Sequence, residues 1–158
     1  SVAITSSILA AQAIGANQGE RLPLINRTAM LITLVLGSVT ALLCTIFSDP
    51  LLSIFITDTE VRRTAQELLY IVLWSGLLFG AFASLAALMR ASGDVIAPTA
   101  ITIGVLALLE LPMAWLLSQR FGLIGIWMAF PLSYAITLGL QYWYYQVIWK
   151  KRPIRKMV

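Results

Sequence analysis

Glu110 is the residue best placed to do chemistry. It is the only acid in residues 95–119, an otherwise apolar stretch, and it lies near the middle of it. In hydrocarbon, a carboxylate left bare at that depth costs about 2.5 kcal/mol or more. Glu110 is therefore expected to face the protein interior and to keep a partner there. Pro112 follows two residues later, and its missing N–H leaves the carbonyl of Leu108 without a helical partner. A carboxyl beside an open carbonyl can bind and release a proton or a sodium ion. The same residues also fit a protonated acid that hydrogen-bonds a neighbouring helix for stability, and the sequence leaves both readings open.

A second polar group lies further along. Pro131 frees the carbonyl of Trp127 and predicts a bend in the last apolar stretch, with Ser133, Tyr134, Thr137 and Gln141 below it. Trp127, Tyr134 and Gln141 are the candidates for lining a substrate cavity. Trp74, Trp115 and Trp127 each offer a ring face that could attract a cation. Gly76, Gly80 and Ser84 recur every four residues and, with Ala83 and Ala87, open one helix face to a close neighbour. The chain has no histidine, and its single cysteine, Cys44, sits in an apolar run where a packed, inert thiol is expected. No nucleophile–base pair, paired-carboxylate site or phosphate-cradling loop is present, so neither catalysis nor a resident cofactor or metal is expected.

These residues need helices in a membrane to position them. Of 158 residues, 59% are hydrophobic and 11% charged, with a mean hydropathy of +0.88. Soluble domains carry about a quarter charged residues, so this chain cannot cover a water-facing globule. Four nearly charge-free stretches, 28–48, 68–89, 95–119 and 121–149, are each long enough to cross a bilayer. Backbone groups in lipid must bond internally, which makes the stretches helices. The fold predicted is an all-α polytopic transmembrane helix bundle, with four full transmembrane helices plus the end of a fifth at residues 1–15. The second full helix starts in a wet turn, so it spans 60–90 in all.

The connections read as helix ends. The run Gly15 to Gly19 stops the first helix before Pro23. Asp49-Pro50 predicts a capped short helix over 51–56, Thr57 with Glu60 forms a capping box, Ser92-Gly93-Asp94 closes the second long helix, and Arg120-Phe121-Gly122 turns between the last two. The chain opens at Ser1 within an apolar run, without a basic leader or a small-residue cleavage site. It is expected to be the continuation of a longer protein, not a signal peptide.

Charge sets the orientation. With the C-terminus in the cytoplasm, the inner side holds Arg21, Arg27, Arg90, Lys150, Lys151, Arg152, Arg155 and Lys156, and the outer side only Arg62, Arg63 and Arg120. Tyr142, Trp143, Tyr144, Tyr145 and Trp149 are expected to form an aromatic girdle at the headgroups, ahead of a basic cytoplasmic tail at 150–158. The net charge of +4 is thus a membrane anchor, and no nucleic acid is expected as a partner.

Three strings in order resemble the multidrug and toxic compound extrusion (MATE) transporters. The segment Ala11 to Glu20, with its Gly-Ala pair, is similar to the end of a helix in that family. The segment Leu88 to Pro98 resembles its Arg-x-x-Gly-Asp-x-x-x-Pro connection. Leu111-Pro112 through Phe121-Gly122-Leu123-Ile124-Gly125-Ile126-Trp127 resembles its penultimate helix, turn and last-helix opening. The resemblance implies that residues 1–158 are a partial C-terminal lobe, half of a two-lobed twelve-helix transporter of the cell (inner) membrane. It implies secondary-active multidrug efflux, with cationic amphipathic compounds exchanged for sodium or protons by alternating access. The partners implied are the N-terminal lobe, membrane lipids and cationic drug-like substrates. Several family members place acids in the first and fourth helices of this lobe. The first is not in this chain and 68–89 has no acid, so Glu110 enters by its chemistry. Two other functions stay open: a lipid-linked oligosaccharide flippase of the same superfamily, and a non-transporting membrane assembly protein.

Overall fold

A computed structural model describes residues 2–16 and 18–151, with the side chains of residues 2, 3 and 19 left aside. Asn17 in the first connection, and Arg152, Arg155 and Lys156 of the basic tail, lie outside the described residues. The described chain is all helical: α1 (Val2–Gly15), α2 (Leu22–Ile46), α3 (Ser48–Phe55), α4 (Thr59–Ala91), α5 (Ile96–Val105), a π-helical turn (Leu106–Glu110) and α6 (Leu111–Val147), with 3-10 turns at Gly19–Arg21 and Trp149–Lys151.

Among the described residues, three continuous helical runs are long and apolar enough to span a membrane: Leu22–Ile46, Thr59–Ala91 and Ile96–Lys151. The last holds 56 residues and would extend about 84 Å if straight, nearly three times the hydrocarbon thickness. It reverses instead at Gly122, where φ is 59° and ψ −135°, a conformation that disfavours any side chain. Two spans result. Three residues later the arms touch: a Cβ on Gly125 would collide with the carbonyl oxygen of Leu117. Only a glycine there lets the backbones lie this close.

Bundle topology follows from a few pairings. Ser84 of α4 meets Thr33 of α2 at 3.4 Å, and Tyr70 meets Ser48 at 3.0 Å, so α2 and α4 run antiparallel. The small-residue face of α4 is where α2 approaches. Helix α4 packs against α1, α2 and α6 and has the most buried surface of the three long runs. The tightest core lies at one end, where Leu22, Leu85, Leu88 and Met89 pack with Ala10, Ala13, Tyr144, Tyr145 and Trp149. Arg21, Arg27, Arg90, Lys150 and Lys151 gather at that end; Arg62, Arg63 and Arg120 lie at the other. Away from the core, α2 exposes Leu31, Ile32, Val35, Leu36, Val39, Leu42 and Leu43, a surface that hydrocarbon can solvate and water cannot.

Several sequence expectations need correction. Helix α2 starts at Leu22, with Pro23 in its first turn, not at 28. The expected start was the end of the charge-free run, whereas a helix carries on through the headgroups with Asn26 and Arg27 on it. The short helix begins at Ser48, and Asp49 does not cap it; Asp49 lies 3.7 Å from Arg62 instead. The cap of α4 is Asp58, whose Oδ1 accepts from the N–H groups of Glu60 (2.8 Å) and Val61 (3.2 Å). Thr57 is one residue too early. The expected girdle divides as well. Tyr142 and Trp143 are exposed, but Tyr144, Tyr145 and Trp149 turn inward, where Tyr145 and Trp149 stack at 5.0 Å.

Candidate functional site

Glu110 ends the π-helical turn. There the N–H of Leu111 reaches back five residues to the carbonyl of Leu106, in place of the usual four. Pro112 explains why the helix widens here: it has no N–H to give, so the α-helical ladder fails at this point in any case. Pro112 lies in the first turn of the helix that follows. The widened turn presents the Glu110 side chain to the returning arm of α6, where Ser133 lies, a residue only 1% exposed.

The contact is short. Ser133 Oγ lies 2.6 Å from Glu110 Oε2 and 2.9 Å from the carbonyl oxygen of Phe130. A hydroxyl has one proton, so these bonds cannot both be full donations. When Glu110 is ionised, Ser133 must donate to it. When Glu110 carries a proton, the acid can donate to Ser133 Oγ and the serine proton is free for Phe130. The pair therefore stays bonded in both states while the hydroxyl reorients, which a site that takes up and releases a cation needs.

An aromatic row borders this acid. Tyr134 follows Ser133 on α6, and its ring lies 5.6 Å from both Phe79 and Phe82 of α4 and 6.1 Å from Phe130. Phe130 in turn lies 5.5 Å from Trp127. Trp127 and Tyr134, expected as cavity candidates, thus join one row with Glu110 beside it. Trp74 and Trp115 do not; both are exposed elsewhere. Pro131 sits within this stretch, but the departure from helical backbone in α6 is at Gly122.

Gln141 departs from expectation. It is 0% exposed and faces α5, with its Nε2 3.1 Å from Thr102 Oγ1 and 3.4 Å from the carbonyl oxygen of Pro98. A side chain this enclosed offers no surface to a cavity, so it does not line one here. Its Oε1 has no hydrogen-bond partner. At the basic end, Tyr144 donates to Asp94 Oδ2 at 2.6 Å and Trp149 Nε1 donates to Ser92 Oγ at 2.8 Å. The last turns of α6 thereby hold the α4–α5 connection. Phe79, Phe82 and Phe130 were missed from sequence. Their spacing of three residues (79 to 82, 127 to 130) was a usable signal, though it is shared with ordinary helix packing.

The family model of MatE matches residues 1–116. The chain belongs to the MatE family. That family is one of membrane transporters and not of enzymes, and the apolar helices make this chain part of a multi-pass membrane protein. Among curated proteins, the probable multidrug resistance protein YoeA of Bacillus subtilis (strain 168) is 41% identical over 160 residues, covering all of this chain and 35% of the relative. The chain thus spans about a third of that relative's length. No solved structure matches.

Proposed function

We propose that this MatE chain is part of the C-terminal lobe of a secondary-active exporter that exchanges cationic amphipathic compounds for sodium or protons. The observation that carries the proposal is the Glu110–Ser133 pair set in a π-helical turn beside the aromatic row. A carboxyl that can gain and lose a cation without losing its protein partner suits ion coupling. Neighbouring aromatic faces suit a flat organic cation, since each ring attracts positive charge. Glu110 is the coupling residue, and Trp127 and Tyr134 are substrate contacts. The multidrug resistance named for the YoeA relative supports the substrate class. Alternating access needs a second lobe, supplied by further parts of the full-length protein.

The basic end of the bundle is the cytoplasmic one in this proposal, by the positive-inside rule, in the cell (inner) membrane. A flippase of anionic lipid-linked sugars fits less well, because Arg90 and Arg120 lie exposed at opposite ends and not beside the aromatic row. Expression of the full-length protein in a drug-sensitive host tests the proposal. Ethidium should accumulate less than in cells with empty vector, while an anionic dye of similar size should not. Equal ethidium accumulation in both would refute it.

A further inference from the structure

The proposed coupling site leaves one chemical need unmet. A proton released by Glu110, which is only partly buried but lies midway along the membrane-spanning arms, must have a way to water. Four polar residues of α6 lie in one line from Glu110 toward the basic end: Ser133, Thr137, Gln141 and Tyr144, which are 1%, 3%, 0% and 9% exposed. Their spacing of four, four and three residues keeps them on one helix face. They form the seam between the returning arm of α6 and α5. Glu110 bonds the first of them, and the last bonds Asp94, in the connection that follows Arg90 and that Trp149 also holds through Ser92. Thr102 adds a hydroxyl from α5 next to Gln141.

Packing does not require such a line. Helix pairs in lipid associate well through small apolar residues, and a buried acceptor without a partner costs about 1–3 kcal/mol. Gln141 Oε1 is such an acceptor. Reversing the amide does not help. Nε2 already faces two acceptors, the Pro98 carbonyl and Thr102 Oγ1, and the Thr102 proton is used on Pro98. The orphan oxygen is thus fixed in place within the seam.

We propose that this seam is the path along which a proton leaves Glu110 for Asp94 at the basic end. The inference rests on the reading of Glu110 as the coupling carboxyl, with the proton as the ion. Seam residues four apart are separated by about 6 Å along the axis. Two hydrogen bonds of about 2.8 Å through one water span that gap. The Ser133, Thr137 and Tyr144 hydroxyls each accept one proton and release another. Gln141 relays nothing itself; its unpaired Oε1 is the acceptor that a bridging water would bond. One proton leaves the Glu110 carboxyl, one arrives at the Asp94 carboxylate and passes to bulk water, and no electrons move.

The test uses the full-length protein in liposomes with a pH-sensitive dye inside, following proton movement when ethidium is added. Thr137→Val keeps the side-chain shape without the hydroxyl, and Tyr144→Phe removes only an oxygen. Each should slow ethidium-driven proton movement at least tenfold while ethidium binding, read by fluorescence, is kept. Thr137→Ser should recover most of the loss. Should either variant fail to bind ethidium, the other decides. Wild-type rates in the binding-competent variants, with Glu110→Gln inactive, would overturn the path and leave the coupling residue standing. Wild-type rates in Glu110→Gln as well would bring down both. A wild-type protein that moves sodium and no protons also overturns the path.

Discussion

Ser133→Ala probes how the structure links Glu110 to ion exchange. The substitution removes an oxygen 2.6 Å from the carboxyl and leaves a methyl in a site that is nearly closed. Interhelical hydrogen bonds in membrane proteins contribute about 0.6 kcal/mol on average, so the fold should survive. The effect on exchange is larger because the bond differs between states. A hydrogen bond to an ionised group is worth about 1.5–3 kcal/mol and one between neutral groups about 0.5–1.5. Alanine therefore penalises the empty, ionised Glu110 over the cation-loaded one by about 1 kcal/mol. That corresponds to about a fivefold change in an equilibrium constant. In inside-out vesicles, the driving cation should give half-maximal ethidium transport at about a fivefold lower concentration, with a lower maximal rate as release slows. An unchanged half-maximal concentration, with normal protein levels, would falsify the idea that Ser133 senses the state of Glu110.

Tyr134→Ala removes the ring that joins Phe79, Phe82 and Phe130. Since a cation–π contact is worth about 0.5–2 kcal/mol, ethidium affinity in a fluorescence titration should fall about two- to thirtyfold; unchanged affinity removes the row from the substrate site. Gly125→Leu places carbon against the Leu117 carbonyl, and overpacking of about 1–3 kcal/mol should lower the melting temperature in detergent. A melting temperature equal to wild type would mean that the arms are not in contact. For orientation, single cysteines at Lys151→Cys and Arg120→Cys in a full-length protein whose other cysteines, Cys44 included, are replaced by serine should react with an impermeant maleimide from the cytoplasm only and from outside only, respectively. The reverse pattern contradicts the proposed orientation.

Much of the fold was legible because the bilayer reduces it to few choices. Apolar length forces helices, and Gly122 among polar and bulky neighbours marks a reversal. What hydropathy could not give was helix ends: α2 runs past its charge-free segment because arginine is about as good a helix former as leucine and a single asparagine costs the helix little. Capping was misplaced by one residue, since Thr57 and Asp58 are both good caps and only the extended backbone at Asp58 decides between them. Within the site, an acid in an apolar helix pointed to Glu110 on solvation energy alone. Its partner was harder to name, because which side chain meets it depends on how the two arms pair around Gly122. The π-helical turn was hidden for a related reason: Pro112 announces a broken ladder but not whether the helix bends or widens. Gln141 was misread because a polar residue on an apolar helix can face either a cavity or a polar neighbour, and Thr102 settles it only once α5 and α6 are side by side.

The most direct measurement is gradient-driven ethidium uptake by the full-length protein in liposomes, comparing wild type with Glu110→Gln under a sodium gradient alone and a proton gradient alone. The account predicts that wild type responds to one of the gradients and that the variant, though it still binds ethidium, responds to neither. Wild-type uptake by Glu110→Gln under the same gradient would contradict it.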